Sequence, residues 1–498
     1  MSIEHFDILI IGAGISGIGV ACHLRRELPN KRFAILERRS KLGGTWDLFR
    51  FPGIRSDSDM FSFGYDFRPW RSERVLGDGD TIRRYMADTA RAFGVDQSIR
   101  FGLKILRADW SSEQRRWTLQ ALHEATGETR HYSCDFLLGC TGYFNHDAGF
   151  RPSFAGEENF RGTTVHPQHW PEGLDYAGKK VVVIGSGATA VTLVPAMAGA
   201  AAHVTMLQRS PSYIFSVPSF DQISMLLKRF MPEHSVYALA RKRSIRVQGW
   251  LYSACRRWPN AMRKLLLGQV RKQLGSDADM RHFTPRYMPW DERLCIVPNG
   301  DLFKALRSGK ASVVTDEIDS FTEGGIRLKS GEELSADVVV TATGLQLQLL
   351  GGVELYVDGQ PRALQGAMTY KGILAQDVPN LATVFGYTNA SWTLKVDLVG
   401  RYVCRLLRYM DSKGFAVVTP HDREGCAMPS GVMESLQSGY VKRSTHLLPR
   451  QGSKSPWKVS MNYQSDREML LRQPIEDASL QFEAARSDVP PHAQLATA

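Results

Sequence analysis

Two glycine-rich loops, each directly after a short apolar run, constrain the fold of this 498-residue chain more than any other feature. The first loop is residues 12–17 (GAGISG) after the run 6–11, and the second is residues 185–190 (GSGATA) after the run 179–184. A buried parallel strand that turns through such a loop into a helix begins a dinucleotide-binding βαβ unit. Two such units predict an α/β fold with two Rossmann-like dinucleotide-binding domains.

The residues around the first loop predict FAD as its ligand. Gly12 permits the tight turn, Gly14 lets the backbone approach a pyrophosphate, and Gly17 lets the helix pack closely on the strand. Glu37 ends the next apolar run, 20 residues after Gly17, where a carboxylate can accept hydrogen bonds from ribose hydroxyls. The glycine-rich run 43–57 then follows, as it does in flavoenzymes of the glutathione-reductase/flavin monooxygenase type. We therefore expect FAD at the first site.

The second loop is expected to bind NADPH rather than NADH. The strand predicted over 203–208 should bring a residue to the adenosine ribose, and Gln208 and Arg209 stand where an acid would favour NAD. An acid repels a 2′-phosphate, whereas a guanidinium pairs with it.

A short repeated motif predicts how the two units are arranged along the chain. The pattern D-x5-T-G occurs at 135–142 and again at 337–344. Because each copy would close one unit, one unit is expected to be nested within the other. The predicted parts are a FAD-binding domain from residues 1–150 and 345–498, an NADP-binding domain from residues 151–214 and 291–344, and a helical insertion over 215–290.

Charge and cysteine content restrict the partners and the compartment. The net charge is +11, and residues 228–272 hold twelve Lys and Arg against one acid. A solvated helical face is the favoured interpretation, a peripheral membrane contact through this segment stays open, and no nucleic-acid partner is expected because no recognised module occurs. The seven cysteines include no C-x-x-C pair, and the chain shows neither a spanning apolar run nor a secretory signal. We expect a cytoplasmic location, with membrane association open, and no metal site.

The stretch between the two loops carries the most specific motif of the chain. Residues 160–171 (FRGTTVHPQHWP) match the fingerprint F-x-G-x-x-x-H-x-x-x-W-P. With this fingerprint the chain resembles the type I Baeyer–Villiger monooxygenases, from Phe6 to about Tyr463. Within that family it is similar to the group that contains the ethionamide-activating monooxygenase of mycobacteria. The runs 43–59, 290–301 and 386–395 support this similarity.

The resemblance implies a specific reaction. Enzymes of this family use FAD and NADPH to insert one atom of O2 next to a ketone carbonyl, through a C4a-peroxyflavin, and give an ester or a lactone. A small-molecule ketone or thio-compound is the implied substrate, with sulfide oxidation as an accompanying reaction. Arg293 corresponds to the family's active-site arginine, whose permanent charge can hold a peroxide anion and later the tetrahedral adduct. Asp57 corresponds to the acid that orients it, whereas His166 and Trp170 are expected to hold the domain linker.

The cofactor contacts follow from the loops and the resemblance together. For FAD they are Gly12, Gly14, Ser16, Gly17, Glu37, Gly44, Thr45, Trp46, Asp47, Leu48, Asp57 and Ile105. For NADP they are Arg55, Ser56, Asp57, Ile184, Gly185, Ser186, Gly187, Ala188, Thr189, Ala190, Gln208, Arg209 and Trp457, with Asn462 completing a W-x4-N spacing. The chain departs from the family at Pro456, where a serine is usual, and at Glu292, where many members carry a lysine that reaches the 2′-phosphate. Arg209 is thus left nearly alone to select NADPH.

Two alternatives remain open at this stage, and a third is disfavoured. A flavin-containing N- or S-monooxygenase would share both loops, but it would leave Arg293 without a clear purpose. A flavin-dependent, membrane-docked NADPH oxidase or sensor would use the basic segment 228–272. A disulfide reductase needs two cysteines soon after the first loop, and the run 43–57 has none. The apolar run 345–350 and the insertion are expected to line the substrate pocket, and the tail from Ser487 is expected to be disordered.

Overall fold

The computed structural model describes residues 3–434 and 436–485, so the tail from Ser487 lies outside the described residues. The strands are β1 (Glu4–Ile11), β2 (Phe33–Leu36), β3 (Ile99–Arg100), β4 (Leu103–Ser111), β5 (Arg116–His123), β6 (Glu128–Gly139), β7 (Phe144–Gly149), β8 (Thr163–Val165), β9 (Lys180–Ile184), β10 (His203–Gln208), β11 (Ile214–Val217), β12 (Cys295–Pro298), β13 (Ala311–Thr315), β14 (Ile318–Thr322), β15 (Gly325–Leu328), β16 (Glu333–Ser335), β17 (Val338–Thr341), β18 (Leu345–Leu347), β19 (Glu354–Val357), β20 (Gln360–Arg362), β21 (Thr369–Tyr370), β22 (Leu374–Ala375), β23 (Leu381–Thr383), β24 (Phe415–Pro420), β25 (Ala427–Gly431), β26 (Arg450–Gly452) and β27 (Leu480–Ala484). The helices are α1 (Ile15–Glu27), α2 (Thr45–Leu48), α3 (Met60–Phe63), α4 (Gly79–Ala92), α5 (Ala188–Met197), α6 (Gln222–Leu227), α7 (Glu233–Arg257), α8 (Pro259–Leu274), α9 (Asp301–Arg307), α10 (Trp392–Lys413), α11 (Gly439–Ser444) and α12 (Tyr463–Leu471).

The larger sheet is built around the strand that precedes the first glycine loop. Its strand order is β20-β19-β4-β5-β6-β1-β2-β3, and β23, β22 and β21 continue from the carboxyl end of β6. β1 pairs in parallel with β2 and β6, and alternate β1 side chains enter two different cores, Ile8 and Ile10 in one, Leu9 and Ile11 in the other. Burial on both faces explains why this strand is a continuous apolar run. Strands from residues 354–383 join a sheet that begins at Glu4, as a nested arrangement requires.

The second sheet is built around the strand that precedes the second glycine loop. It has five parallel strands in the order β13-β10-β9-β17-β8. The valines of β9 and β17 are buried between two layers, with α5 and α9 on one face and the small sheet β14–β16 on the other. The expected α/β class with two dinucleotide-binding units is confirmed.

A helical segment is inserted into the second unit between β11 and β12. These two strands pair in parallel, with Ile214 opposite Cys295, and α6, α7 and α8 lie between them in the chain. α7 is anchored at Arg241, which is 8% exposed and donates to the Phe61 and Ser62 carbonyls at 3.1 Å and to Asp397 at 3.1 Å. Among the described residues, no helix combines the length and the apolar character needed to cross a membrane.

Candidate active site

A cavity of about 1250 Å³ lies where the two glycine loops face each other. Its lining comes from both loops, from the glycine-rich run 43–46, from the segment 292–296 and from the segment 437–443. Both loops follow the carboxyl ends of parallel strands, which is where open α/β sheets bind their ligands. The two nucleotide sites therefore open into one shared space.

The first loop forms a backbone cradle that only glycine can build. Gly12 has a φ of +100°, and a Cβ there would lie 2.9 Å from the Cys140 carbonyl oxygen. A Cβ on Gly17 would lie 1.9 Å from the Gly12 carbonyl oxygen, so this glycine lets α1 lie close to the strand. A Cβ on Gly44 would come within 3.0 Å of the Gly14 Cα. The N-terminus of α1 opens onto this cradle, which suits a pyrophosphate.

Glu37 follows β2 and is held beside the cradle by two backbone amides. Its carboxylate accepts from the Ala13 amide at 2.6 Å and from the Arg39 amide at 2.8 Å, and it lines the cavity. Burial raises the pKa of Glu37 above its ordinary value, while the two amide donors oppose that rise. The remaining acceptor capacity of the carboxylate fits the ribose role expected from the sequence.

The second loop repeats this geometry around a more open face. Gly185 has a φ of +140°, and a Cβ there would lie 2.4 Å from the Ala342 carbonyl oxygen. A Cβ on Gly187 would meet nothing within 4 Å, so the loop faces free space in the cavity. α5 begins at Ala188, and its N-terminus offers unpaired amides to an anion.

Arg293 lies on the cavity wall and is held by three acceptors. Its Nε donates to the Thr388 carbonyl at 3.1 Å, its Nη2 to the Tyr387 carbonyl at 3.3 Å, and its Nη1 to Asp57 Oδ2 at 3.3 Å. Desolvation opposes the charge, but the phenols of Tyr143 and Tyr440 and the Asp57 carboxylate raise the pKa of Arg293 above its usual range. The site therefore holds a permanent cation in a fixed orientation.

Two tyrosines beside Arg293 were not singled out by the sequence. Tyr143 is 5% exposed, and its ring lies 4.3 Å from the ring of Phe144 and 5.3 Å from that of Trp392. Tyr440 reaches the same place from α11, with its ring 6.3 Å from that of Phe144. Both line the cavity, and together they give the space beside Arg293 an aromatic wall. No sequence motif marks these two tyrosines, because they come close to Arg293 only in the folded chain.

Three cations lie at the cavity mouth, and the sequence had singled out Arg209 but not the other two. Arg209 follows β10, and Lys442 and Arg443 come from α11. The Arg443 guanidinium lies 3.5 Å from the Phe150 ring centroid, and a Cβ on Gly344 would lie 3.4 Å from its Nη2. Desolvation, with repulsion from Arg209, lowers the pKa of Arg443. Among residues 3–434 and 436–485, none of the three cations makes an ion pair, although the partly buried Glu292 lies close to Arg209 and Lys442.

Most of the residues expected to contact cofactors do line the cavity. They are Gly12, Gly14, Ser16, Glu37, Gly44, Thr45, Trp46, Arg55, Ser56, Asp57, Ile105, Ile184, Gly185, Ser186, Gly187, Ala188, Thr189 and Arg209. The Ser16 hydroxyl accepts from the Trp392 indole at 2.8 Å, which ties the first loop to the start of α10. The Arg55 guanidinium pairs with Asp301 at 2.5 Å, so an acid of the protein already neutralises its charge.

The other expected contacts do not line this cavity, for local reasons. Gly17, Leu48 and Ala190 pack inside the structure. The Asp47 carboxylate pairs with Arg39 and Arg50. The Gln208 amide donates to the His282 carbonyl at 2.7 Å and to Thr315, which leaves Arg209 alone at the end of β10. Trp457 is 2% exposed and packs edge-on against Tyr370, and Asn462 caps α12.

The fingerprint lies outside the cavity lining, on the connection between the two units. His166 packs against Gly149, where a Cβ would lie 2.0 Å from the imidazole, and its Nδ1 accepts from the Gln168 amide at 3.2 Å. Burial lowers the pKa of His166. The Gln168 side chain donates to the Asn145 carbonyl at 2.8 Å, and Trp170 packs against the core of the second unit. These contacts hold the linker, which is the role that was expected for His166 and Trp170.

Two dinucleotide sites that share one cavity define a pyridine-nucleotide-linked flavin oxidoreductase. The family model described as pyridine nucleotide-disulphide oxidoreductase matches residues 6–249. The chain is 62% identical to the FAD-containing monooxygenase MymA of Mycobacterium tuberculosis, over 97% of this chain and 99% of the relative. It is 51% identical to the FAD-containing monooxygenase EthA of the same organism, over 96% and 98%. An oxidized steroid monooxygenase bound to NADP shares the fold, with a TM-score of 0.76 and 20% identity over 97% of this chain and 100% of that one.

The chain belongs to the family of FAD-containing monooxygenases that includes MymA and EthA. The resemblance to the ethionamide-activating group is confirmed, and the protein is a flavin-dependent monooxygenase.

Proposed function

We propose that this monooxygenase inserts one oxygen atom of O2 next to a ketone carbonyl and forms an ester or a lactone, with FAD in the first site and NADPH in the second. Arg293 carries this proposal, because it places a permanent cation in the cavity between the two glycine loops. An enzyme that only oxidises nitrogen or sulfur has no clear need for such a fixed cation. Bound flavin, once reduced, supplies the electrons that split O2.

Arg293 stabilises the negative charge that develops during this reaction. Charge builds up first on the activated oxygen and then on the former carbonyl oxygen of the ketone. A guanidinium keeps its proton at working pH, so it can stabilise both without donating a proton. The Tyr387 and Thr388 carbonyls and Asp57 fix its direction, so little reorganisation is needed when the charge forms.

The apolar wall beside Arg293 favours a ketone with a hydrophobic body. Tyr143, Phe144 and Tyr440 line the cavity, as do Leu345 and Leu350 from the run that was expected to form the pocket. The insertion 215–290 was expected to line it as well, but none of its residues belongs to the lining of this cavity. Apolar pockets with a few polar groups are typical of small-molecule sites, and the few polar groups set the orientation of the ligand. Thio-compounds with an apolar body fit the same wall.

NADPH is the proposed reductant, with its phosphates divided between two arginines. Arg209 follows β10, which is the position that reaches the adenosine ribose, so we assign it to the 2′-phosphate. Arg443 lies over the turn after β17, on the other side of the second glycine loop, so we assign it to the pyrophosphate. Because Glu292 stands where many family members carry a lysine, Arg209 is the one residue assigned to the 2′-phosphate.

The proposal is tested by product analysis under labelled oxygen. Purified protein with NADPH and 18O2 is incubated with a panel of apolar cyclic, linear and aromatic ketones. The expected product is an ester or lactone that carries one 18O atom in its ring or chain oxygen. If sulfides and amines are oxygenated on the heteroatom while every ketone is returned unchanged, the enzyme is an N- or S-monooxygenase. If NADPH is consumed with only peroxide released, it is an oxidase.

A further inference from the structure

A short helix of the insertion exposes its apolar side chains and buries a polar one. Ser224 is the buried residue of α6, at 2% exposed, whereas Ile223, Met225 and Leu226 are 56%, 42% and 55% exposed. A surface helix of a soluble protein normally shows the opposite pattern. The buried Ser224 is satisfied because its hydroxyl donates to Asp221 at 2.5 Å. Asp221 in turn pairs with Arg243 of α7.

The exposed apolar surface continues on both sides of α6. Phe220 precedes the helix at 43% exposed, and Phe230 follows it at 78% exposed, the highest value among the exposed large apolar residues of the described chain. We call Phe220, Ile223, Met225, Leu226 and Phe230 the apolar ridge. Five such side chains lie within eleven residues of the chain, and concentrated apolar exposure of this kind marks interaction sites.

Helix α7 extends this surface with a mixed apolar and basic stripe. Leu239, Arg246 and Trp250 lie at spacings of seven and four, which places them on one side of a helix. Leu239 and Trp250 are 44% and 62% exposed. Arg243 lies on the same stripe and pairs with Asp221 at the start of α6, so the stripe runs beside the apolar ridge.

The charge around the apolar ridge is positive. The acids near it are already paired, since Lys228 binds Glu73 and Glu233, and Arg243 binds Asp221. Within the described parts of the chain, Arg229, Lys242 and Arg246 are exposed and make no ion pair. The surface therefore presents bulky apolar side chains next to cations that pair with none of the described acids.

We propose that the apolar ridge and the basic stripe of α7 dock the protein on an anionic phospholipid bilayer. Apolar side chains would enter the headgroup boundary while the cations contact lipid phosphates, which is how interfacial helices bind. A second copy of the chain fits less well, because a two-fold contact would bring the same cations face to face. A nucleic acid would use the cations but would leave the aliphatic side chains of α6 in water.

Vesicle sedimentation with the full-length holoenzyme tests this proposal. The probes are vesicles of phosphatidylcholine alone and of phosphatidylcholine with phosphatidylglycerol, at low and high salt. The expected result is binding to the anionic vesicles that weakens at high salt. The double variant Leu226→Ser/Phe230→Ser should lower the partition coefficient roughly tenfold or more. Arg229→Gln/Arg246→Gln should remove the preference for phosphatidylglycerol.

Matched control variants lie on other faces. Phe101→Ser removes an exposed aromatic side chain, and Lys413→Gln/Arg423→Gln removes two exposed cations, so both should bind vesicles as the wild type does. Melting temperature and flavin content show that each variant is folded. The proposal is overturned if the wild type binds neither vesicle, or if the ridge and stripe variants bind as the controls do. It is also overturned if the ridge variant only dissociates a dimer, or if the arginine variant loses affinity for nucleic acid alone.

Discussion

The Arg293 guanidinium donates to the Asp57 carboxylate at 3.3 Å across 236 residues of sequence. The contact joins the segment before β12 to the run that follows the first glycine loop, and so links the two nucleotide-binding units at the cavity. A cation on one unit is thus oriented by an acid on the other.

Asp57→Asn should keep both cofactors and uncouple oxygen use. The amide can still accept a hydrogen bond, but it no longer attracts the Arg293 charge, so the cation is less firmly oriented. We expect ester formation to fall about tenfold, with a matching rise in peroxide released per NADPH. Product and peroxide are measured together, with Asp88→Asn, from an exposed pair with Arg91, as the control. An unchanged ratio of product to peroxide would show that Asp57 does not position Arg293.

Glu37→Ala should weaken flavin retention. The carboxylate that accepts from Ala13 and Arg39 is the acid expected at the FAD ribose. Loss of hydrogen bonds to a charged acceptor costs about 1.5–3 kcal/mol, which is roughly a ten- to hundredfold increase in Kd. The measurement is FAD per protein after dialysis, beside Glu124→Ala, whose carboxylate pairs with Arg38 at the surface. Full flavin content in Glu37→Ala would refute the assignment.

Arg209→Ala and Arg443→Ala should affect the nicotinamide cofactors differently. Arg209→Ala should raise the KM for NADPH about ten- to hundredfold and hardly change that for NADH, because only NADPH has a 2′-phosphate. Arg443→Ala should raise both, because both cofactors have a pyrophosphate. Calorimetric titration with 2′,5′-ADP gives a reading independent of turnover. If Arg209→Ala raised both KM values equally, Arg209 would not bind the 2′-phosphate. If Arg443→Ala raised the KM for only one cofactor, Arg443 would not bind the pyrophosphate.

Stability should fall at alkaline pH through His23. This imidazole is 1% exposed, and burial opposes its charge, but a hydrogen bond to Asp397 and the nearby Glu27 carboxylate, at 3.4 Å, raise the pKa of His23 from 6.5 to about 9. Because the folded pKa is the higher one, the stabilisation is complete below pH 6.5 and is lost as pH rises through 9. The loss should be about 3 kcal/mol. Melting temperatures at pH 6 and 9.5 should differ more for the wild type than for His23→Gln. Equal differences in the two proteins would show that protonation of His23 does not stabilise the fold.

The fold could be predicted from the sequence because its determinants are local. Gly12 and Gly185 sit in backbone conformations that favour glycine, and the apolar runs before them are buried on both faces of their sheets. The nested division into domains was likewise inferred from a local signal, the repeated D-x5-T-G motif, and stays a prediction. Arg293 and Asp57 could be named only through the family resemblance, because nothing in the spacing of residues 57 and 293 indicates contact.

The parts of the site that the sequence did not reveal depend on long-range packing. Arg443 and Tyr440 reach the cavity from α11, which the pattern of residues 439–444 does not mark as functional. Gln208 was expected at a ribose because of its place after a strand, but its amide satisfies the His282 carbonyl and Thr315 instead. Trp457 was carried over from the family, yet it packs on Tyr370, in a segment where Pro456 replaces the usual serine.

Arg293→Ala, assayed with an apolar ketone and with a sulfide, tests the central claim most directly. The variant should still bind FAD and NADPH, because both glycine loops are untouched. Ester formation should fall about 10²–10³-fold, because no cation then stabilises the developing negative charge, while sulfide oxidation should survive. Ester formation from the ketone at a rate near that of the wild type, at equal flavin content, would contradict the account of this active site.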